Sequence, residues 1–414
     1  EPHWVLPHKN DTEALMPLSG LIIGSSYVWI AVAFLVMALR RSSRLSLRWT
    51  SATIIVATVL VFAYTFSETL RIRHFLVFEA LRSTSLDGVF THPLNATPLV
   101  IFLGRPLASL RLDFASTMLV MANMVALYVV VVALLRHLRL PIDGPLPLAA
   151  TAVAVISHPV RDTLMGGHWT LMFLALIVAD VFLPTVRWPR GLLSGIAVAL
   201  GGGWPLLSAV AAFSALKNYR AIGIVLGSCA ASFGLGFVVA RETTLSYLHT
   251  LWHWPETILA ALTGSINNTA YAMVARALGG SSTLSWLIMV VVVLAVAHFA
   301  AQRAGDRYVA AAFGLCLPAL VLPYSTATVW VLLLPLVVLL ARWNPIATAF
   351  GAYLLWFEWF PGRLDYIYGG IRGEWWLPPF EVFASAPALY LLVLMLLSLG
   401  GKIAQPSTGT LAKK

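Results

Sequence analysis

The first cluster able to do chemistry falls in TFSETLRIRH, where Glu68 directly follows an apolar run and Arg71, Arg73 and His74 come just after it. A carboxylate held at a membrane surface could take the proton from an attacking hydroxyl, while neighbouring cations hold a lipid phosphate. The ordinary alternative is a solvated acid in a rim ion pair with Arg71 or Arg73. Asp87, in SLDGVF, is the rival acid, although Asp-Gly is also a common turn pair.

Further clusters follow. His92, Pro93 and Asn95 open THPLNATPLVIFLG, and HPVRDTLMGGHW places His158, Arg161, Asp162 and His168 between two apolar runs. Arg161 and His168 suit an anionic lipid, whereas a Gly-hinged turn with a local Arg161–Asp162 pair is the plain reading. The spacing of His158 and His168 is not that of a helical metal pair. Asn267 and Asn268 in SINNTAY offer planar amides that either cap a helix or bind sugar hydroxyls. FPGRLDYIYGGIRGEWW interleaves Arg363, Asp365 and Arg372 with Tyr and Trp. Such a mixture forms either an interfacial aromatic belt or a sugar-gripping surface. Asn10, Asn95 and Asn267 stand in Asn-X-Ser/Thr sequons, a weak signal in a chain of this length. Phosphate-loop, dinucleotide, HExxH and Ser–His–Asp signatures are absent. Asp180 and Glu358 sit near the ends of apolar runs, which gives little support to an ion relay through the core.

The elements that must position these groups are membrane helices. Hydrophobic residues make up 59% of the 414 and charged ones 11%, against about 25% charged in a soluble domain. Long apolar runs in lipid must satisfy their backbone internally, and the short alternating segments of a barrel are missing. The expectation is an all-α polytopic protein, one transmembrane domain over 1–414, with about 12–13 spans of roughly 20 residues each. The runs lie near 20–39, 49–67, 114–135, 145–157, 169–185, 191–203, 204–216, 222–240, 282–301, 308–322, 326–341, 345–359 and 381–399. RRSSRLSLR at 40–48 and the basic turns near 136–139, 185–190, 217–220, 302–307 and 341–343 alternate onto one side, expected to be cytoplasmic. The segments 68–113, 158–168, 241–281 and 360–380 then share the external face of the plasma membrane. The net charge of +10 is explained by those basic turns and does not imply nucleic-acid binding. Cys229 and Cys316 lie inside apolar runs as small hydrophobes. Residues 1–19 lack the charged-then-apolar start of a cleavable signal peptide, and an opening at Glu1 is compatible with a natural start further upstream.

Taken in order over about 70–410, these segments resemble the C-superfamily of membrane glycosyltransferases, specifically family 87. FTHPLNATPLVIFLGRPLASL is similar to the family's Tyr-Pro-Pro surface helix, with His92-Pro93-Leu94 in that place. HPVRDTLMGGHWTLMFLAL resembles its Pro-Leu-Arg…Gly-Gln-Val-Asn segment, and RGLLSGIAVALGGGWPLL its Lys-Leu-Thr-Pro helix. SINNTAYAMVARALGG and VLPYSTATVWVLLLPLVVLL are similar to its later loop and its Ser-Pro-Ile-Ser-Trp…His-His helix. YLLWFEWFPGRLDYIYGG resembles the ending of the branching arabinofuranosyltransferases.

The resemblance implies transfer of mannose or arabinofuranose from a polyprenyl-phosphate donor to a cell-envelope glycolipid or lipoglycan. The reaction would be inverting, without metal or other cofactor. It implies Glu68 or Asp87 as base, with Arg71, Arg73, His74, Arg161 and His168 at the donor phosphate. His92, Asn95, Asn267, Asn268, Tyr324, Arg363, Asp365 and Arg372 would meet sugar or acceptor. The sequence departs from the family where Gly replaces the Lys in GGGWP, where Ala327 and Thr328 replace the His pair, and where no Asp stands in the family's catalytic place. A lipid-linked transporter or a non-catalytic scaffold are the competing functions. A transporter would need charged residues along a central path, which are scarce here.

Overall fold

The computed structural model describes residues 97–99, 112–183, 188–249, 269–278, 283–322, 327–356 and 386–399. Among these residues the chain is helical, with no strand. In chain order the helices are α1 Leu112–His137, α2 Leu146–Val155, α3 His158–Met165, α4 Thr170–Phe182, α5 Leu192–Gly201, α6 Gly203–Ala215 and α7 Tyr219–Val239. A short helix α8 at 241–249 follows, then α9 Ala270–Leu278, α10 Thr283–Arg303, α11 Arg307–Val321, a 3₁₀ turn Ala327–Leu332, α12 Leu333–Leu340, α13 Pro345–Trp356 and α14 Ala386–Leu399. The protein is a polytopic helical membrane protein. The expected runs 20–39 and 49–67 lie outside the described residues.

The helices differ in length, and the difference shapes the bundle. Thr117–His137, Tyr219–Val239 and Leu284–Arg303 are long and apolar enough to cross a bilayer. By contrast α4 and α6 have 13 residues and α5 has 10. At 1.5 Å per residue those reach about 20 Å and about 15 Å, short of a hydrocarbon core of about 30 Å. Helices α5 and α6 correspond to the short expected runs 191–203 and 204–216. Backbone ends left at membrane depth must be buried in protein or line a polar space.

Helix α4 is buried among its neighbours, α5 is half-buried, and α6 packs most extensively on α11. That contact depends on Gly314, where a Cβ would meet the backbone of Ala211 and Ala212 at 2.7 Å. α1 runs in the same direction as α4, so the His137 ring at its end lies edge-on to Phe182 at the end of α4 at 5.3 Å and against Tyr308 at 4.2 Å.

One end of the bundle is closed by capping chemistry. α1 and α6 both end in Schellman motifs: Leu140 N–H donates to Leu135 O and Asn218 N–H to Phe213 O, each at 2.9 Å. The residues in the left-handed position, usually glycine, are Arg139 and Lys217, both at φ 57°. Asn218, Asp306 and Asn344 then accept from the first-turn amides of Ala221, Tyr308 and Ala347 at 3.2, 2.7 and 2.9 Å. Asp180, buried in the last turn of α4, caps α5 across the intervening turn. Its carboxylate accepts from Gly191 N–H at 2.9 Å and Ser194 N–H at 3.0 Å. Gly191 sits at φ 96°, and a Cβ there would stand 2.6 Å from Ala221 O, so only glycine fits.

Two expectations change in detail. The segment 158–168, read as a turn, holds the helix α3. Its Ser157 does not cap it, and the hydroxyl donates to Ala154 O at 2.6 Å instead. The run 326–341 is not one α-helix, since six residues of 3₁₀ turn precede α12.

Candidate functional site

The opposite end of the bundle is built differently. Helices α3, α4 and α6 all begin there, after Ser157, Trp169 and Gly202, and none has a side-chain capping hydrogen bond. Helix starts of this kind carry partial positive charge and outward N–H groups, which suits an anion such as a lipid phosphate. Because α4, α5 and α6 are short, this end is set below the level reached by α1 and α7.

Residues 166–169 join α3 to α4 at the centre of this end. Gly167 takes φ 67°, which lets the chain reverse. The His168 N–H donates to Thr163 O at 3.0 Å, and the His168 carbonyl accepts from Asn123 Nδ2 of α1 at 3.0 Å. The His168 ring folds over Gly166, where a Cβ would lie 2.6 Å from Cδ2 and Nε2. On α3, His158 Nε2 lies 3.4 Å from Asp162 Oδ2. Arg161, half-buried, occupies the same helix.

An aromatic row leads from this turn to the α5–α6 junction. Trp169 and Phe173 have ring centroids 6.4 Å apart, and Phe173 and Trp204 6.1 Å. Gly201 leaves room for the Phe173 ring, since a Cβ would meet it at 2.7 Å. The junction is tied to the 97–99 segment. Thr97 N–H donates to Leu200 O at 3.0 Å, and its hydroxyl and that of Ser232 donate to Ala199 O at 2.8 and 2.6 Å. These bonds satisfy carbonyls that the end of α5 would otherwise leave open.

On the other side of the turn, the 3₁₀ segment packs on both α3 and α4, and it contributes Trp330. Trp356 reinforces the α2 side, with its indole donating to Val153 O at 2.6 Å. Tyr247 on α8 is buried, and burial pushes its phenol well above the ordinary range, so it stays neutral.

Arg161 and His168 thus fall together at one end. Glu68, Asp87, Arg71, Arg73, His74, His92, Asn95, Asn267, Asn268, Tyr324, Arg363, Asp365 and Arg372 lie outside the described residues. Among the described residues no group of His, Cys, Asp or Glu is arranged to hold a metal. Sequence reasoning passed over Asn123, Trp169 and Trp330. A lone Asn inside the apolar run LVMANMVAL was the available signal.

Comparison with known proteins identifies the family. Residues 90–323 match Glycosyltransferase family 87, a segment that takes in α1 through α11. A polyprenol-phosphate-mannose-dependent alpha-(1-2)-phosphatidylinositol mannoside mannosyltransferase of Mycobacterium tuberculosis is 29% identical over 279 residues, 62% of this chain and 62% of that protein. The enzyme of the same description from Mycolicibacterium smegmatis is 29% identical over 293 residues, with the same 62% shares. The chain spans less than two thirds of the length of these relatives. No solved structure gives a significant match. The chain belongs to glycosyltransferase family 87.

Proposed function

We propose that the protein transfers mannose from a polyprenyl-phosphate donor to a phosphatidylinositol-mannoside-like acceptor, at the external face of the plasma membrane. Family membership and the donor named for both relatives support the sugar and its carrier. The observation that carries the reading to this chain is the uncapped end, where three helix starts meet Arg161, His168 and an aromatic row. A lipid-borne sugar phosphate needs that combination of positive potential, aromatic faces and access at membrane depth. The basic turns lie at the other end, which supports an external site by the excess of positive charge expected on the cytoplasmic side.

The chemistry is an inverting displacement without metal. An acceptor hydroxyl oxygen attacks the anomeric carbon as its proton passes to a carboxylate. The bond from the anomeric carbon to the phosphate oxygen breaks, and polyprenyl phosphate leaves with the electron pair. Glu68 is the proposed base, with Asp87 as the rival. Arg71, Arg73, His74, Arg161 and His168 stabilise the departing phosphate. His92, Asn95, Asn267, Asn268, Tyr324, Arg363, Asp365 and Arg372 are proposed to hold sugar and acceptor. Arabinofuranose is the second candidate sugar, favoured by the C-terminal segment alone.

The test is mass-spectrometric product analysis after the purified protein meets a phosphatidylinositol mannoside with polyprenyl-phosphate mannose or polyprenyl-phosphate arabinose, each alone. A single added hexose from the mannose donor is expected. A pentose from the arabinose donor would reassign the sugar, and no product from either would remove the proposed activity.

A further inference from the structure

Three side chains from three elements that pack about α3 and α4 leave a buried polar atom open. They are Asn123 Oδ1 on α1, Trp169 Nε1 at the start of α4 and Trp330 Nε1 in the 3₁₀ segment, each without a hydrogen-bond partner. Asn123 and Trp330 are 0% and 3% exposed. An unmet donor or acceptor at that depth is costly, about 1–3 kcal/mol apiece, and native proteins rarely leave one without a protein, water or ligand partner. The Asn123 amide is also fixed in direction, because its Nδ2 is already committed to His168 O. Its remaining oxygen can only accept. The two indoles can only donate.

One acceptor and two donors are complementary to vicinal hydroxyls, each of which both donates and accepts. They suit neither a bare phosphate, which offers no donor to Asn123, nor an acyl chain, which offers neither. We propose that Asn123, Trp169 and Trp330 form a specificity-determining subsite for the hydroxyls of a mannosyl ring. This rests on the proposed function and adds to it the residues that read the sugar. Ser194 Oγ, the comparable open atom at the capped end, belongs to a freely rotating hydroxyl beside Asp180 and has no such neighbours.

The test is equilibrium binding to the full chain in lipid nanodiscs, with melting temperature recorded alongside. Two ligand series are used: polyprenyl-phosphate mannose with its monodeoxy analogues, and phosphatidylinositol mannoside with its own. The parent should bind at least one deoxy analogue roughly tenfold more weakly than the full sugar, the effect of stranding one buried partner. Trp330→Phe and Trp169→Phe keep the ring and lose the N–H. At least one should bind that analogue and the full sugar alike, while Ser194→Ala discriminates as the parent does. The series that responds identifies donor or acceptor as the occupant. If both indole variants discriminate as the parent does, the atoms hold a structural water and the subsite is wrong. A parent indifferent to every deoxy position overturns it equally. If the parent binds neither mannosyl lipid, the proposed function falls with it, an outcome distinct from binding without discrimination.

Discussion

The two ends of the α4–α5–α6 unit are made from similar lengths of chain and solve opposite problems. At the Gly191 end, Asp180 meets two backbone amides and Asn218 caps α7, so the polar groups of helix starts and turns are matched within the protein. At the Gly167 end, three helices start without side-chain caps and Asn123, Trp169 and Trp330 each keep a buried atom unmatched. Hydrogen bonding that is complete apart from the Ser194 hydroxyl makes the first end a fastening. Incomplete hydrogen bonding at equal depth marks the second as a place for something else to bind.

The largest effects are expected where the fastening is broken. Gly191→Val must leave a left-handed φ and push aside the Ala221 backbone, and Asp180→Ala strands buried amides at about 1–3 kcal/mol each. Both should lower the melting temperature in detergent sharply, while the folded fraction retains its affinity for polyprenyl-phosphate mannose. Affinity lost without loss of stability would erase the distinction between the ends.

Chemistry at the open end should show the reverse split. Glu68→Gln removes the charge of the proposed base, so single-turnover transfer should fall by ~10²–10⁴-fold with little change in melting or donor binding. Asp87→Asn should be mild. Loss in Asp87→Asn alone would move the base there.

Smaller changes sharpen the comparison. Gly166→Ala meets the His168 ring at 2.6 Å and the Asp162 carbonyl less closely at 3.1 Å, so it should displace the ring far more than the helix. Donor binding is expected to weaken about three- to tenfold with melting nearly unchanged. An unaffected affinity would take His168 away from the donor phosphate. At the fastening, Lys217→Gly relieves a left-handed non-glycine residue at a helix end. A gain of about 0.5–1 kcal/mol in unfolding stability is expected, with transfer unchanged.

Much of the fastening was legible in the sequence, because its signals are local. The run 222–240 became Tyr219–Val239 and 345–359 became Pro345–Trp356, since hydropathy and the Asn, Asp and Pro punctuation act within a few residues. Asp180 was read only as lying near a run's end. Its partners, Gly191 and Ser194, lie across a turn, and no local pattern announces them. The open end was less legible. Two His, an Arg and an Asp lower the mean hydropathy of 158–168 and hide an eight-residue helix whose Val160 and Leu164 are buried. Asn123 vanished into the average of a 26-residue apolar helix. Trp330 carried no signal inside the run 326–341, and its surroundings alone show a buried indole with nothing to bond to.

The most direct measurement is photocrosslinking of the full chain in nanodiscs with polyprenyl-phosphate mannose bearing a diazirine on the sugar, followed by peptide mapping. The account predicts adducts, competed away by unmodified donor, within 158–169, 199–204 or 327–332. Adducts confined to the basic turns near 138–144, 188–191, 217–219 or 341–345 would contradict it, as would labelling that unmodified donor does not suppress.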